Sequence, residues 1–338
     1  MDILGLKDKI RSSGLSKNFR KDKSEWTPQE IEYDRKMKIT AHTNDLGVSY
    51  YSCEIPWKDG EKPDLVNNLT GVITRQKRTC SQETLDKKGT TIEEINAKFQ
   101  SDLEKGYFKP VPEADINTPD CYYLNWFCVI DRSRATTKMR VVFDASAKDK
   151  FGKSLNTAIA KGPNLLQDLY TILLRFRMYK FAFSADISEM FLRVKLAEKD
   201  QKYHRFYWNG NIYQFTSILF GNQCSPDASQ KVLATHCERN IDKYPLACDV
   251  LQNFCYMDDT IKSCESVEEL VETIQQLIPL TKSMNMDICK FYTNSTKAIE
   301  VLDRDKVSTK VTFTDIDFEI ESSKVLGMIY SAKDDNFS

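Results

Sequence analysis

Two adjacent aspartates interrupt an apolar, aromatic run in Phe254-Cys255-Tyr256-Met257-Asp258-Asp259-Thr260-Ile261. The residues on either side favour strands, so the pair is expected where one strand turns tightly into the next. Neighbouring carboxylates in an apolar hairpin repel each other and resist desolvation, so something cationic must compensate them, and a divalent metal is the natural candidate. The doublet alone is weak evidence: Asp334-Asp335 is another, and most such pairs are solvated surface turns. Asp186 adds a third carboxylate at the end of the apolar strand in Phe183-Ser184-Ala185-Asp186-Ile187-Ser188-Glu189-Met190-Phe191-Leu192. A three-stranded sheet could set it beside the hairpin turn, or it could simply cap the turn after its own strand. Three hard oxygen donors without a His or Cys partner suit Mg²⁺ or Mn²⁺ and not zinc. Two such ions about 3.5–4 Å apart would activate a hydroxyl and stabilise a leaving pyrophosphate, which is nucleotidyl transfer.

The elements around these carboxylates are readable in part. Residues 1–85 are polar, with basic clusters such as Lys21-Asp22-Lys23 and little periodicity, and are expected to form an irregular N-terminal extension. From Thr91-Ile92-Glu93-Glu94, a capping box, Ile92, Ile95, Phe99 and Leu103 recur at helical spacing until Gly106. Tyr122 to Ile130 and Met139 to Phe143 read as strands joined by a cationic loop that carries Arg132, Arg134 and Lys138. Leu165, Leu166, Leu169, Ile172, Leu173 and Phe176 fit a helix, and Lys180 to Asp186 alternates as a strand should. Asn209-Gly210 between two aromatic runs is a strong hairpin signal. Ser225-Pro226 predicts a helix start with Ser225 as its cap, and Ser266-Val267-Glu268-Glu269 caps a helix carrying Leu270, Ile274 and Leu277. The order from Lys180 is strand, hairpin, helix, strand, turn, strand, helix: an α+β arrangement in which helices cover one face of a small antiparallel sheet.

Composition narrows the partners little. A net charge of -1, from 48 Lys+Arg against 49 Asp+Glu, gives no global signal for a polyanion, so nucleic-acid binding has to rest on local patches. Ten cysteines without a CxxC pair, and only three histidines, argue for reduced and mostly buried thiols in a reducing, intracellular setting. No apolar run approaches the roughly 18 residues of a membrane span, so no membrane partner is expected.

The motifs, in order, resemble the reverse transcriptases of LTR retrotransposons, most closely the BEL/Pao group. They are Glu104-Lys105-Gly106-Tyr107, Lys138-Met139-Arg140-Val141-Val142-Phe143-Asp144-Ala145-Ser146, Ser154-Leu155-Asn156, Gly162-Pro163-Asn164-Leu165-Leu166, the Asp186 segment, Leu219-Phe220-Gly221 before Ser225-Pro226, Tyr256-Met257-Asp258-Asp259 and Leu326-Gly327. The resemblance implies reverse-transcriptase-like fingers and palm over residues 86–338, ending near the start of a thumb. It implies RNA-directed DNA synthesis on a primed RNA or DNA template from dNTPs. Asp186, Asp258, Asp259 and the backbone carbonyl of Ile187 would hold two Mg²⁺ or Mn²⁺ ions. Arg140 would meet the incoming triphosphate, with a second contact from Arg132, Arg134 or Lys138. Phe191 would be the steric gate against a ribose 2′-hydroxyl, Phe220-Gly221 would lie along the nascent base pair, and Lys290 would give a proton to pyrophosphate. Where the group usually carries a proline- and histidine-containing segment, this chain has Asn125-Trp126-Phe127-Cys128. The resemblance further implies one part of a Pol polyprotein, with ribonuclease H and integrase encoded downstream and a cytoplasmic, virus-like particle as its setting. A non-catalytic nucleic-acid-binding remnant and an RNA-dependent RNA polymerase are the alternative readings.

Overall fold

Asn209 and Gly210 both adopt positive φ, 46° and 83°, which is the backbone a two-residue hairpin with right-twisted strands needs. They join β8 (Arg205–Trp208) to β9 (Asn211–Phe215) in the expected antiparallel register, Trp208 opposite Asn211. The computed structural model describes residues 23–60, 62–132 and 139–308, and beyond these the backbone of short strands between 311 and 337. Arg134, Lys138, Leu326, Gly327 and the Lys21-Asp22 part of the first basic cluster lie outside the described residues.

The β8–β9 hairpin belongs to a five-stranded sheet. β3 (Phe108–Pro110) flanks β9, and β8 runs parallel to β4 (Tyr123–Ile130), which pairs antiparallel with β5 (Met139–Asp144). Asn125-Trp126-Phe127-Cys128, the departure from the usual pattern, forms the middle of β4, with Trp126 opposite Phe143. The predicted helix forms as Ile92–Glu104 and seals this sheet. Its Phe99 stacks on Trp208 with centroids 4.9 Å apart and meets Trp126 edge-on at 4.9 Å. Burying one such ring stabilises by about 1.5–3 kcal/mol, and the offset and edge contacts add to that.

Only half of the predicted capping box at Thr91 closes. The Thr91 hydroxyl accepts the Glu94 N–H at 3.3 Å, but the Glu94 carboxylate turns instead to the Thr90 hydroxyl at 2.7 Å and to Arg132 at 2.8 Å. Arg132, which also donates to the Gly89 carbonyl at 2.7 Å, is therefore committed to this helix start.

A second sheet has the order β10 (Cys255–Tyr256), β11 (Asp259–Cys264), β6 (Phe181–Ser188), β12 (Asp287–Thr293), every pairing antiparallel. Along β6, Phe183, Ala185 and Ile187 are buried while Ser184, Asp186 and Ser188 are only half-buried, so one face meets the core and the other opens outward. The helices Leu169–Phe176, Pro245–Asn253 and Val267–Ser283 pack against this sheet.

Three local expectations shift. The helix read from Leu165 begins only at Leu169, because the Asp168 carboxylate takes the Thr171 N–H at 2.8 Å and caps it there. The helix Ser225–Asn240 takes Cys224 as its cap, and Ser225 inside the first turn donates its hydroxyl to the Leu219 carbonyl at 2.8 Å. The largest difference concerns the described residues between 23 and 85, which form regular elements. They form the helix Pro28–Lys36 and the hairpin of β1 (Ile39–Thr43) and β2 (Ser49–Cys53), and β2 adds in parallel to β7 (Lys195–Leu196). Tyr33, Met37, Tyr51, Cys53, Ile55 and Trp57 enter the same hydrophobic core as the second sheet. Tyr33 donates to Asp227 at 2.8 Å, and Trp57 Nε1 and the Ile55 N–H donate to Asp200 at 2.8 and 2.9 Å. These anchors are few and aperiodic, so a pattern test for amphipathic elements does not register them.

All ten cysteines are free, and all but Cys80 and Cys289 are buried. Among the described residues no helix is long and apolar enough to cross a membrane.

Candidate active site: three aspartates on one sheet

The turn from β10 into β11 is two residues long, Met257 and Asp258, with Tyr256 opposite Asp259. Met257 takes φ 55°, a left-handed conformation that L-residues other than glycine adopt rarely. Two bonds hold this turn: Ile187 donates its N–H to the Asp258 carbonyl at 2.8 Å, and Cys255 Sγ donates to the Met257 carbonyl at 3.1 Å. Antiparallel register then sets Asp259 directly opposite Asp186 on the neighbouring strand. Asp186, Asp258 and Asp259 are thus brought together from positions some 70 residues apart in sequence. Ile187 lies beside them, its side chain in the core and its N–H committed to Asp258.

Electrostatics at the Asp258-Asp259 doublet shows negative charge that the neighbouring cations do not fully offset. Burial and the neighbouring Asp186 push the Asp258 carboxyl above its ordinary range, against the opposing pull of Lys290 and Arg140. Burial, Asp258 and Asp186 push Asp259 up to about 7. Such shifts mark groups that a cation would return to the ionised state.

Lys290 supplies part of that cation. β12 bulges between Cys289 and Tyr292, Lys290 takes φ 55°, and its Nζ donates to Asp186 Oδ2 at 2.8 Å. Burial disfavours the ammonium, but the bond to Asp186 and the negative charges of Asp186 and Asp258 together outweigh it and raise the Lys290 pKa. Sequence reading marked Lys290 as a site residue without foreseeing this ion pair, because the bulge that aims it has no signature in Met286-Asp287-Ile288-Cys289-Lys290-Phe291. Among the described residues, no three Asp, Glu, His or Cys side chains already close around one point as a metal cage. The donor set fits hard divalent ions by its chemistry, all carboxylate oxygens with excess negative charge, once Asp186 exchanges Lys290 for metal.

The other expected residues lie around this group. Arg140, on β5 opposite Val129, is exposed, and its charge reaches Asp258. Phe191, in the short helix Met190–Arg193, has its ring 6.0 Å from that of Phe220, which is 67% exposed. Gly221 has φ 115°, and a Cβ there would stand 2.6 Å from the Phe143 carbonyl oxygen, so the protein's own backbone requires glycine at this position. Asn156 had no assigned role in the sequence reading and proves to be the clamp on this segment. Its Nδ2 donates to the Gly221 carbonyl at 2.9 Å and to Ser146 Oγ at 2.8 Å, and its Oδ1 accepts the Gln223 N–H at 2.9 Å. The fragments Asp144-Ala145-Ser146, Ser154-Leu155-Asn156 and Leu219-Phe220-Gly221 are therefore one interlocked unit.

The family model described as "Reverse transcriptase (RNA-dependent DNA polymerase)" matches residues 134–324, more than half of the chain. No curated protein matches the sequence. Among solved structures, the foamy viral protease-reverse transcriptase in complex with RNA/DNA hybrid is similar with a TM-score of 0.51 and 12% identity, covering 98% of this chain and 36% of that one. A selenomethionine-labelled mutant of the prototype foamy virus protease-reverse transcriptase gives a TM-score of 0.47 and 14% identity, covering 85% of this chain and 32% of that one. The chain spans about a third of the length of these structures. The likeness to the hybrid-bound structure speaks to the fold, a mixed α+β architecture with antiparallel sheets, and the sequence match carries the rest: the chain belongs to the reverse transcriptase family.

Proposed function

We propose that this chain is the polymerase core of an RNA-directed DNA polymerase from an LTR retrotransposon, extending a primer 3′-hydroxyl on a template strand with dNTPs. The observation that carries the reading is the register of β6 and β11, with Asp186 directly across from Asp259 and the Asp258 carbonyl tied to Ile187. The lineage, BEL/Pao, is supported by the ordered fragments from Glu104-Lys105-Gly106-Tyr107 to Leu326-Gly327.

Asp186, Asp258, Asp259 and the Ile187 carbonyl would hold two Mg²⁺ or Mn²⁺ ions. Such ions, when bound, activate the primer hydroxyl and stabilise the leaving pyrophosphate. The residues of the chain supply position and charge. Arg140, with its fixed donor fork, grips the triphosphate. Phe191 crowds the 2′ position of the incoming sugar and so favours dNTPs over rNTPs, while Phe220 and Gly221 border the nascent base pair. Lys290, bonded to Asp186 here, would on release from it donate a proton to the leaving pyrophosphate. Template sequence is read by base pairing, and basic side chains hold the backbone.

Primer extension on poly(rA)/oligo(dT) with dTTP and Mg²⁺ or Mn²⁺ tests the reading. Extension is expected from the wild type and not from Asp258→Ala, with the fold of the variant intact by circular dichroism. Extension that survives the substitution would refute the site. Salt-sensitive binding of the primer–template with no incorporation at all would instead support the non-catalytic alternative.

A further inference from the structure

The chain leaves β6 through Glu189, which sits at φ 53° and ψ 34° immediately before the helix Met190–Arg193 that carries Phe191. A side-chain-bearing residue keeps such a left-handed conformation only where its surroundings over-determine it. Here they do. Lys105 Nζ donates to Glu189 Oε1 at 2.7 Å, the Tyr107 hydroxyl donates to Oε2 at 2.6 Å, and Arg193 stands 3.6 Å from the same oxygen. Lys105 and Arg193 also lie over the Tyr107 ring, 5.7 and 6.0 Å from its centroid.

The gripping segment is itself fastened. Tyr107 is buried, and its carbonyl accepts the Thr216 N–H at 2.9 Å. The Gly106 carbonyl accepts the Thr216 hydroxyl at 2.7 Å and Lys195 Nζ at 3.1 Å. A half-buried carboxylate held by two hydrogen bonds with a guanidinium close by is a costly arrangement to keep at a turn that only has to connect two elements.

We infer that Glu189, gripped by Tyr107 and Lys105, is a positioning residue for sugar selection: the grip fixes the turn out of β6 and with it the place of the Phe191 ring, two residues on. The inference rests on Phe191 acting as the steric gate under the proposed function. Phe191 is partly buried against the main hydrophobic core, its ring 6.0 Å from that of the largely exposed Phe220, and the turn through Glu189 is the backbone that delivers the ring to that surface. The fragment Glu104-Lys105-Gly106-Tyr107, distant in sequence from the aspartates, thereby gains a role in substrate choice.

The test measures kcat/KM for dTTP and for UTP on poly(rA)/oligo(dT), together with thermal unfolding, in the wild type, Phe191→Val, Tyr107→Phe, Glu189→Gln and Glu189→Gly. Tyr107→Phe and Glu189→Gln, which keep side-chain shape, are expected to lower the dTTP/UTP ratio roughly tenfold, the scale of one charge-assisted hydrogen bond. Glu189→Gly relieves the φ 53° backbone but removes the carboxylate, and it should lower the ratio as far. Losses of rate equal for both nucleotides, with the ratio unchanged, would mean that the network only fastens the fold, and the inference would fall. The Phe191→Val arm separates the two layers. A collapsed ratio there with unchanged ratios in the grip variants overturns the grip alone, whereas an unchanged ratio there overturns the gate reading on which the grip depends.

Discussion

The hairpins at Asn209-Gly210 and Met257-Asp258 both turn in two residues, and they solve the same geometric problem with opposite chemistry. Asn209-Gly210 fills positive φ with the residues that tolerate it best, carries no charge and joins β8 to β9 beneath the aromatic cluster around Phe99. Met257-Asp258 puts a methionine at φ 55° and gathers carboxylates whose neighbours raise their pKa, Asp186 acting on Asp258 and both of these on Asp259. The first turn agrees with every local preference. The second violates two of them, backbone conformation and charge compensation, and survives because β6 and the Ile187 N–H hold it from the side. Local rules broken at one place in an otherwise consistent fold mark that place as functional.

Substitutions at the two turns should separate activity from stability. Asp259→Asn is expected to reduce primer extension by at least about a thousandfold, the scale of removing a charge-stabilising group from a nucleotidyl-transfer site. Its unfolding temperature should not fall, since the repulsion it removes is unfavourable; a variant that keeps its rate breaks the comparison.

The two turns should also differ in their response to pH. Asp259 has its folded pKa raised from 3.8 to about 7, so without divalent metal the stability tied to its neutral form is complete below about pH 4 and lost as pH rises through 7. Added Mg²⁺ should restore stability above pH 7, because it favours the ionised carboxylate. Chemical denaturation at pH 5 and pH 8, with and without Mg²⁺, reads this, and Asp259→Asn should flatten the dependence; an equal pH response in that variant contradicts the assignment. The Asn209-Gly210 turn contains no titratable group and contributes nothing to that slope.

The smallest effect is at the Asn209-Gly210 turn. Gly210→Ala should cost about 1–2 kcal/mol for a Cβ at φ 83°, with extension per folded molecule unchanged. A drop in turnover without a drop in stability would show that the β8–β9 hairpin does more than build the sheet.

The same contrast explains what could be read from the sequence. Asn209-Gly210, the helix Ile92–Glu104 and the alternation along β6 were legible because short-range preference and final structure coincide there. The aspartate doublet was legible for the opposite reason, as a conflict between residue type and surroundings. Tyr33, Tyr51 and Trp57 gave no signal. Their partners Asp227, His236 and Asp200 are more than 140 residues away, and neither periodicity nor propensity encodes such pairings. The bulge that turns Lys290 onto Asp186 and the Asn156 clamp on Gly221 are likewise products of strands meeting. Motif order named those residues but could not say what they touch.

The central claim is that Asp186, Asp258 and Asp259 act as one divalent-metal centre. Titrating Mn²⁺ into the protein and following the free-ion signal by electron paramagnetic resonance tests it directly. Binding should be clear in the wild type near pH 8, weaker near pH 6 as Asp259 protonates, and lost in both Asp186→Asn and Asp259→Asn. Mn²⁺ affinity that is the same in the wild type and in both variants would contradict it.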